Sequence, residues 1–85
     1  MAKVEIYFKP GCPYCIRAKN LLKDKGVDTV DYNAFADPDL RKEMLARSNG
    51  GRTYPQIFIN GVHVGGSDEL ARLDRGGKLD PLLAA

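Results

Sequence analysis

At 85 residues the chain has room for one compact domain with a single core. Apolar residues make up 44% and charged residues 28%, and 13 basic against 11 acidic side chains leave a formal charge of +2, too small and too scattered for a nucleic-acid footprint. "MAKVEIYFK" at the start is too short and too charged for a signal peptide, and no apolar run approaches the ~18 residues of a membrane span, so a soluble, untargeted chain is expected.

Taken in chain order, Lys3–Phe8 alternates Val4, Ile6 and Phe8 against Lys3, Glu5 and Tyr7, which predicts a strand. From Pro13 to about Lys25, Cys15, Ala18, Leu21 and Leu22 share one face of a predicted helix, and Gly26 suits a left-handed cap beyond it. Thr29–Asn33 reads as a second strand. Asp37-Pro38 then supplies an N-cap and a first-turn proline for a helix to about Ser48, with Leu40, Met44 and Leu45 inward and "NGG" ending it. In "QIFINGVHV" two apolar runs flank Asn60-Gly61, the pair that a two-residue type I′ turn demands because both positions need positive φ. His63, alternating with Val62 and Val64, reads as a solvent-side residue of that hairpin. Ser67 is expected to cap a last long helix, "DELARLDR", stopped by Gly76-Gly77, and Asp80-Pro81 starts a terminal turn. The order β-α-β-α-β-β-α implies an α/β domain with one mixed sheet covered by helices.

The chemistry sits in "GCPYC", residues 11–15, which holds both cysteines of the chain. Gly11-Cys12 falls in the turn after the first strand, and Pro13 takes the first helical position, where a missing N–H costs nothing. Cys12 therefore stands at a helix N-terminus, where unpaired N–H groups and the positive end of the macrodipole favour a thiolate over a thiol. Lys9, and Arg17 one turn in, would add to that effect. Cys15, one helical turn further on, can reach Cys12 and close a disulfide. The exposed Cys12 is the nucleophile in this reading and the inward Cys15 the resolving thiol. Blander readings fit less well. A structural disulfide across so short a loop contributes only about 2 kcal/mol and ties no distant elements together. A zinc site normally wants four Cys or His ligands, and this chain owns two cysteines and one histidine. Two cysteines are also too few for a disulfide-stapled secreted protein, which points to a reducing compartment and to redox chemistry.

"CPYC" after a short strand, "TYPQIFINGVHVGGSDEL" some forty residues later and the length of 85 together resemble a dithiol glutaredoxin of the small bacterial type, over nearly the whole chain (residues 1–85 as a single domain). A thioredoxin fits worse, because its active site resembles Trp-Cys-Gly-Pro-Cys and this chain has no tryptophan. The resemblance implies the thioredoxin fold, a four-stranded mixed sheet with a cis-proline loop facing the thiols. Here that loop is Thr53, Tyr54 and Pro55, where the family usually shows Thr-Val-Pro. Tyr54 is expected to tune the pocket, since the contact with a ligand runs through main-chain atoms.

Glutathione, the substrate this family implies, offers a sulfur, two carboxylates and one ammonium, and the chain has candidates for each. Gly66, Ser67 and Asp68 open a helix whose free N–H groups can hold the γ-glutamyl carboxylate, with the Asp68 side chain on the ammonium. Lys9 and Arg41 can pair with the glycine carboxylate, and Tyr14 can lie alongside the sulfur. Each residue also has an ordinary reading, Ser67-Asp68 as a plain cap, Lys9 and Arg41 as solvated charges and Tyr14 as packing. Two departures from the family bear on the site: many relatives carry cysteine where Ser67 stands, and "NGGR" before Thr53 is one residue longer than expected. The implied activity is thiol-disulfide exchange in the cytoplasm by a monomer, with glutathione as co-substrate, electrons arriving from NADPH through a separate glutathione reductase, and no bound cofactor, metal, nucleic acid or membrane. Clients would be glutathionylated or disulfide-bonded proteins, ribonucleotide reductase and sulfate-assimilation enzymes among them. The rival implied by the same family is a carrier that bridges a [2Fe-2S] cluster through the first cysteine and glutathione.

Overall fold

Four strands and four helices make up the computed structural model, which describes residues 2–84. They run β1 (Val4–Phe8), α1 (Pro13–Asp24), β2 (Thr29–Asn33), α2 (Pro38–Arg47), β3 (Gln56–Ile59), β4 (Val62–Gly65), α3 (Ser67–Arg75) and α4 (Leu79–Ala84). The strands form one sheet in the order β2-β1-β3-β4. β1 pairs in parallel with β2, Val4 opposite Thr29, and antiparallel with β3, Val4 opposite Ile59. The parallel pair needs a crossover, and α1 supplies it. This is the thioredoxin fold that the resemblance implied. Among the described residues no helix is long and apolar enough to cross a membrane.

Local chemistry sets most boundaries. Asp37 Oδ1 accepts from the N–H groups of Asp39 at 2.9 Å and Leu40 at 3.4 Å, which caps α2 as its sequence required. Asn60 and Gly61 take φ of 51° and 80°, the two positive values of a type I′ turn, and so place Ile59 opposite Val62. The helix after the hairpin differs from expectation. Its N-cap is Gly66, Ser67 is its first helical residue, and no side chain caps it. Glu69 instead reaches back to accept from the Gly66 N–H at 2.8 Å. The terminal segment is also longer than one turn, starting at Leu79, whose side chain is buried.

The sheet is covered on both faces, which overturns a simple inside-outside reading of β1. Val4 and Ile6 join Ala18, Leu22, Ile57, Ile59, Leu70 and Leu79 in the larger core, built from α1, α3, α4 and the sheet. Tyr7 lies in a second cluster with Ala34, Met44 and Phe58 under α2. Glu5, on the same face as Tyr7, is buried as well and is held by Arg47 of α2 through two bonds of 3.0 Å, one to each carboxylate oxygen. Tyr32 donates to Glu5 at 2.8 Å, Arg47 donates to the Tyr7 hydroxyl at 2.7 Å, and the Tyr7 hydroxyl donates to Glu43. The Arg47 guanidinium also stacks over the Phe58 ring, 4.2 Å from its centroid. A buried carboxylate survives there because its lone pairs are satisfied and its charge is paired.

Candidate functional site

β1 ends at Phe8, the chain turns through Lys9, Pro10 and Gly11, and α1 begins at Pro13, so Cys12 is the N-cap of that helix. Its backbone is extended, with φ −81° and ψ 116°, and the Cys15 N–H donates to its Sγ at 3.4 Å. The sulfur thus replaces the oxygen of an ordinary cap. Partial burial pushes the Cys12 thiol up, but the Cys15 side chain, the N–H groups of Cys15 and Tyr14, and the Lys9 charge outweigh it and hold the thiol below its ordinary value. Arg17 is turned toward Tyr14. Its guanidinium lies 5.7 Å from the centroid of the Tyr14 ring.

Cys15 behaves in the opposite way. Burial, together with the neighbouring Cys12 sulfur, pushes its thiol up to about 11. The two cysteines are both free thiols in the structure, Cys12 partly exposed and Cys15 buried.

The Tyr54–Pro55 peptide is cis, and the Tyr54 carbonyl oxygen lies 3.8 Å from Cys12 Sγ. Tyr14, Thr53, Tyr54, Gly66, Ser67 and Asp68 line one cavity of about 270 Å³ together with Glu69. Six of the residues singled out in the sequence therefore meet there, from three separate segments. With no side-chain cap on α3, its first-turn N–H groups stay available to a ligand. Asp68 is exposed at the same helix start and has no ion pair among the described residues.

Lys9 and Arg41 lie apart from that cavity. Lys9 borders a second one of about 200 Å³, which reaches Cys15 past Phe8, Gly11 and Ile16. Arg41 donates through Nη2 to the Phe35 carbonyl. What links both cations to the site is the side chain of Phe35, which the sequence reading missed. Its ring packs edge-on against Tyr54 with centroids 6.3 Å apart, the Lys9 ammonium sits 4.8 Å from its centroid and the Arg41 guanidinium 6.0 Å. Gln56 is the other omission. Buried at the start of β3, it donates through Nε2 to the Thr53 carbonyl at 2.8 Å and to the Thr53 hydroxyl at 3.1 Å, and so braces the Tyr54–Pro55 turn. Its Oε1 meets Nε2 of His63 at 2.7 Å, so His63, though exposed as expected, is not a free surface residue. A glutamine opening an otherwise apolar strand was the available signal. In "NGGR" and the residue before it the chain turns sharply ahead of the site: Asn49 and Gly50 take positive φ and the Gly51 N–H donates to Ser48 Oγ at 2.8 Å.

Fold and site define a thioredoxin-fold protein with a dithiol at a helix start, facing a cis-proline turn. Comparison with known proteins narrows the class. The glutaredoxin family model matches residues 4–64. A glutaredoxin of Pseudomonas aeruginosa is 54% identical over 85 residues, 100% of each chain. The solution structure of a glutaredoxin from Brucella melitensis superposes with a TM-score of 0.83 at 55% identity, covering 98% of this chain and 89% of the other. The crystal structure of a buckwheat glutaredoxin-glutathione complex superposes with a TM-score of 0.86 at 30% identity, covering 98% and 77%. The chain belongs to the glutaredoxin family.

Proposed function

We propose that the protein is a glutathione-dependent thiol-disulfide oxidoreductase that reduces protein-glutathione mixed disulfides and protein disulfides through Cys12 and Cys15. The observation that carries this reading is the position of Cys12 Sγ, between the Cys15 N–H and the Tyr54 carbonyl and beside a cavity that ends at the uncapped start of α3. The glutathione complex of the buckwheat relative supports the choice of ligand.

In the first step the Cys12 thiolate attacks the glutathione sulfur of a mixed disulfide. A Cys12–glutathione bond forms, the client–glutathione bond breaks, and the client leaves as a thiolate that takes a proton from water. A second glutathione thiolate attacks the glutathione sulfur on Cys12, giving oxidised glutathione and restoring the Cys12 thiolate. With a client disulfide, Cys12 forms a mixed disulfide with one client sulfur and Cys15 attacks Cys12, releasing the client dithiol and leaving a Cys12–Cys15 disulfide for two glutathiones to reduce. Cys15 is suited to act second. Its pKa is raised in part by the Cys12 sulfur, and that contribution disappears once Cys12 is tied up as a neutral mixed disulfide.

The protein would work as a monomer in a reducing compartment such as the cytoplasm, in keeping with two cysteines, too few for a disulfide-stapled secreted domain. The reading is tested by reduction of a glutathionylated peptide with glutathione as donor, run beside a reaction in which thioredoxin reductase is the donor. Turnover with glutathione is expected. Turnover with the reductase alone would overturn the assignment.

A further inference from the structure

Phe35 is an apolar side chain left half exposed, 49% accessible, in the connection between β2 and α2. Its backbone is held: the Ala34 N–H donates to the Tyr32 carbonyl at 2.9 Å, the Ala36 N–H to Asn33 Oδ1 at 3.1 Å and the Asp37 N–H to the Asn33 carbonyl at 3.2 Å. The ring is therefore presented by a built turn. Two cations, Lys9 from the turn before α1 and Arg41 from α2, lie within 6.0 Å of its centroid, and neither forms an ion pair among the described residues. Like charges gathered without a carboxylate repel each other, and the negative face of an aromatic ring offsets that repulsion. On its other contact the ring abuts Tyr54, whose carbonyl faces Cys12.

Resting on the glutathione reading above, we propose that Phe35 is a positioning residue that seats the Lys9 ammonium and the Arg41 guanidinium against its ring, next to Tyr54, as a receptor for the glycine carboxylate of glutathione. The ring does not touch the reacting sulfur. It sets where two flexible side chains rest, so that less of their freedom is lost when the carboxylate arrives. Its contribution is then confined to ligands that carry that carboxylate.

The test compares the wild type, Phe35→Leu and Phe35→Tyr on one peptide, linked by a disulfide either to glutathione or to γ-glutamylcysteine, which lacks the glycine. The readout is the ratio of the two KM values. Leucine keeps apolar bulk but has no ring, so the preference for the glutathione adduct should fall by about two- to fivefold, the range set by an exposed cation-ring contact. Tyrosine keeps the ring and should retain the preference. An unchanged preference in Phe35→Leu, or a rise in KM of equal size on both adducts, would overturn the proposal, the second outcome pointing to a ring that receives the client peptide. A wild type that turns over neither adduct would overturn the glutathione reading itself, and this assignment with it.

Discussion

The backbone N–H of Cys15 lies 3.4 Å from the Sγ of Cys12, so the second cysteine of the pair stabilises charge on the first. One helical turn thereby separates the two thiols chemically. Cys12 is held below the ordinary thiol range, while burial raises Cys15 to about 11.

The first prediction concerns this split. A lowered pKa means that the thiolate of Cys12 persists to lower pH than that of a free cysteine, whose thiol titrates near about 8.5. Alkylation by iodoacetamide should therefore reach its plateau on the acid side of that value, with one equivalent incorporated per chain until the pH approaches the Cys15 range. A midpoint at or above that of free cysteine would remove the helix-start argument.

The two cysteine variants should differ in kind. Cys12→Ser leaves no accessible thiolate, and serine is too weak a nucleophile at neutral pH, so every reductase assay should read zero. Cys15→Ser should still deglutathionylate peptides, because the second step needs only free glutathione, and should fail on clients whose disulfide requires a resolving thiol. A folded Cys15→Ser protein as inactive as Cys12→Ser in deglutathionylation would contradict the assigned roles.

Asp68→Ala removes the carboxylate beside the open start of α3 without touching the nucleophile. KM for a glutathionylated peptide should rise by roughly three- to fivefold, the scale of an exposed ion pair, and the rise should shrink at high salt. The rate of Cys12 alkylation, measured on the same samples, distinguishes lost recognition from a damaged helix start. Equal KM values for variant and wild type would leave Asp68 as a helix-end charge with no ligand.

A fourth prediction lies away from the site. The Arg47 guanidinium, assisted by the Tyr32 hydroxyl, holds the Glu5 carboxyl below its ordinary value against the opposing effect of burial. A depressed carboxylate contributes stability that is complete above its unfolded-state pKa, about 4.3, and that is lost as the pH falls through the lower folded value. Glu5→Gln should cost about 3 kcal/mol at pH 7, the low end for a broken buried pair because Arg47 keeps some access to water. Urea unfolding of both proteins from pH 7 downward checks this. The gap between them should narrow in acid, and a gap that stayed constant would show that the pair's charge contributes nothing.

Much of the architecture could be read from short-range signals. Asp37-Pro38, Asn60-Gly61 and the proline after Cys12 each constrain the backbone within a few residues, so α2, the hairpin and the start of α1 needed no knowledge of the rest of the chain. Cys12 and Cys15 were legible for the same reason, since a helix start and a spacing of three settle both the stabilised thiolate and its partner. The start of α3 was misread locally, because glycine, serine and aspartate all suit a cap and the side-chain oxygen of Glu69 decides among them only once the helix is built.

What the sequence by itself determined, then, was the order of the elements, the place of Cys12 at a helix start with Cys15 one turn on, and the segments that surround them. Tertiary structure alone decided which polar residues are buried and which distant side chains meet. Glu5 and Arg47 lie 42 positions apart, and nothing in an alternating strand shows that a helix will cover its second face. Nothing in the sequence around Phe35 singles it out. Its meaning depends on the fold carrying the end of β1, α2 and the cis-proline turn to the same end of the sheet, where one ring meets Lys9, Arg41 and Tyr54. Local rules act over a few residues, whereas such a meeting is a property of packing, and the chain acquires it only when the sheet closes around β1.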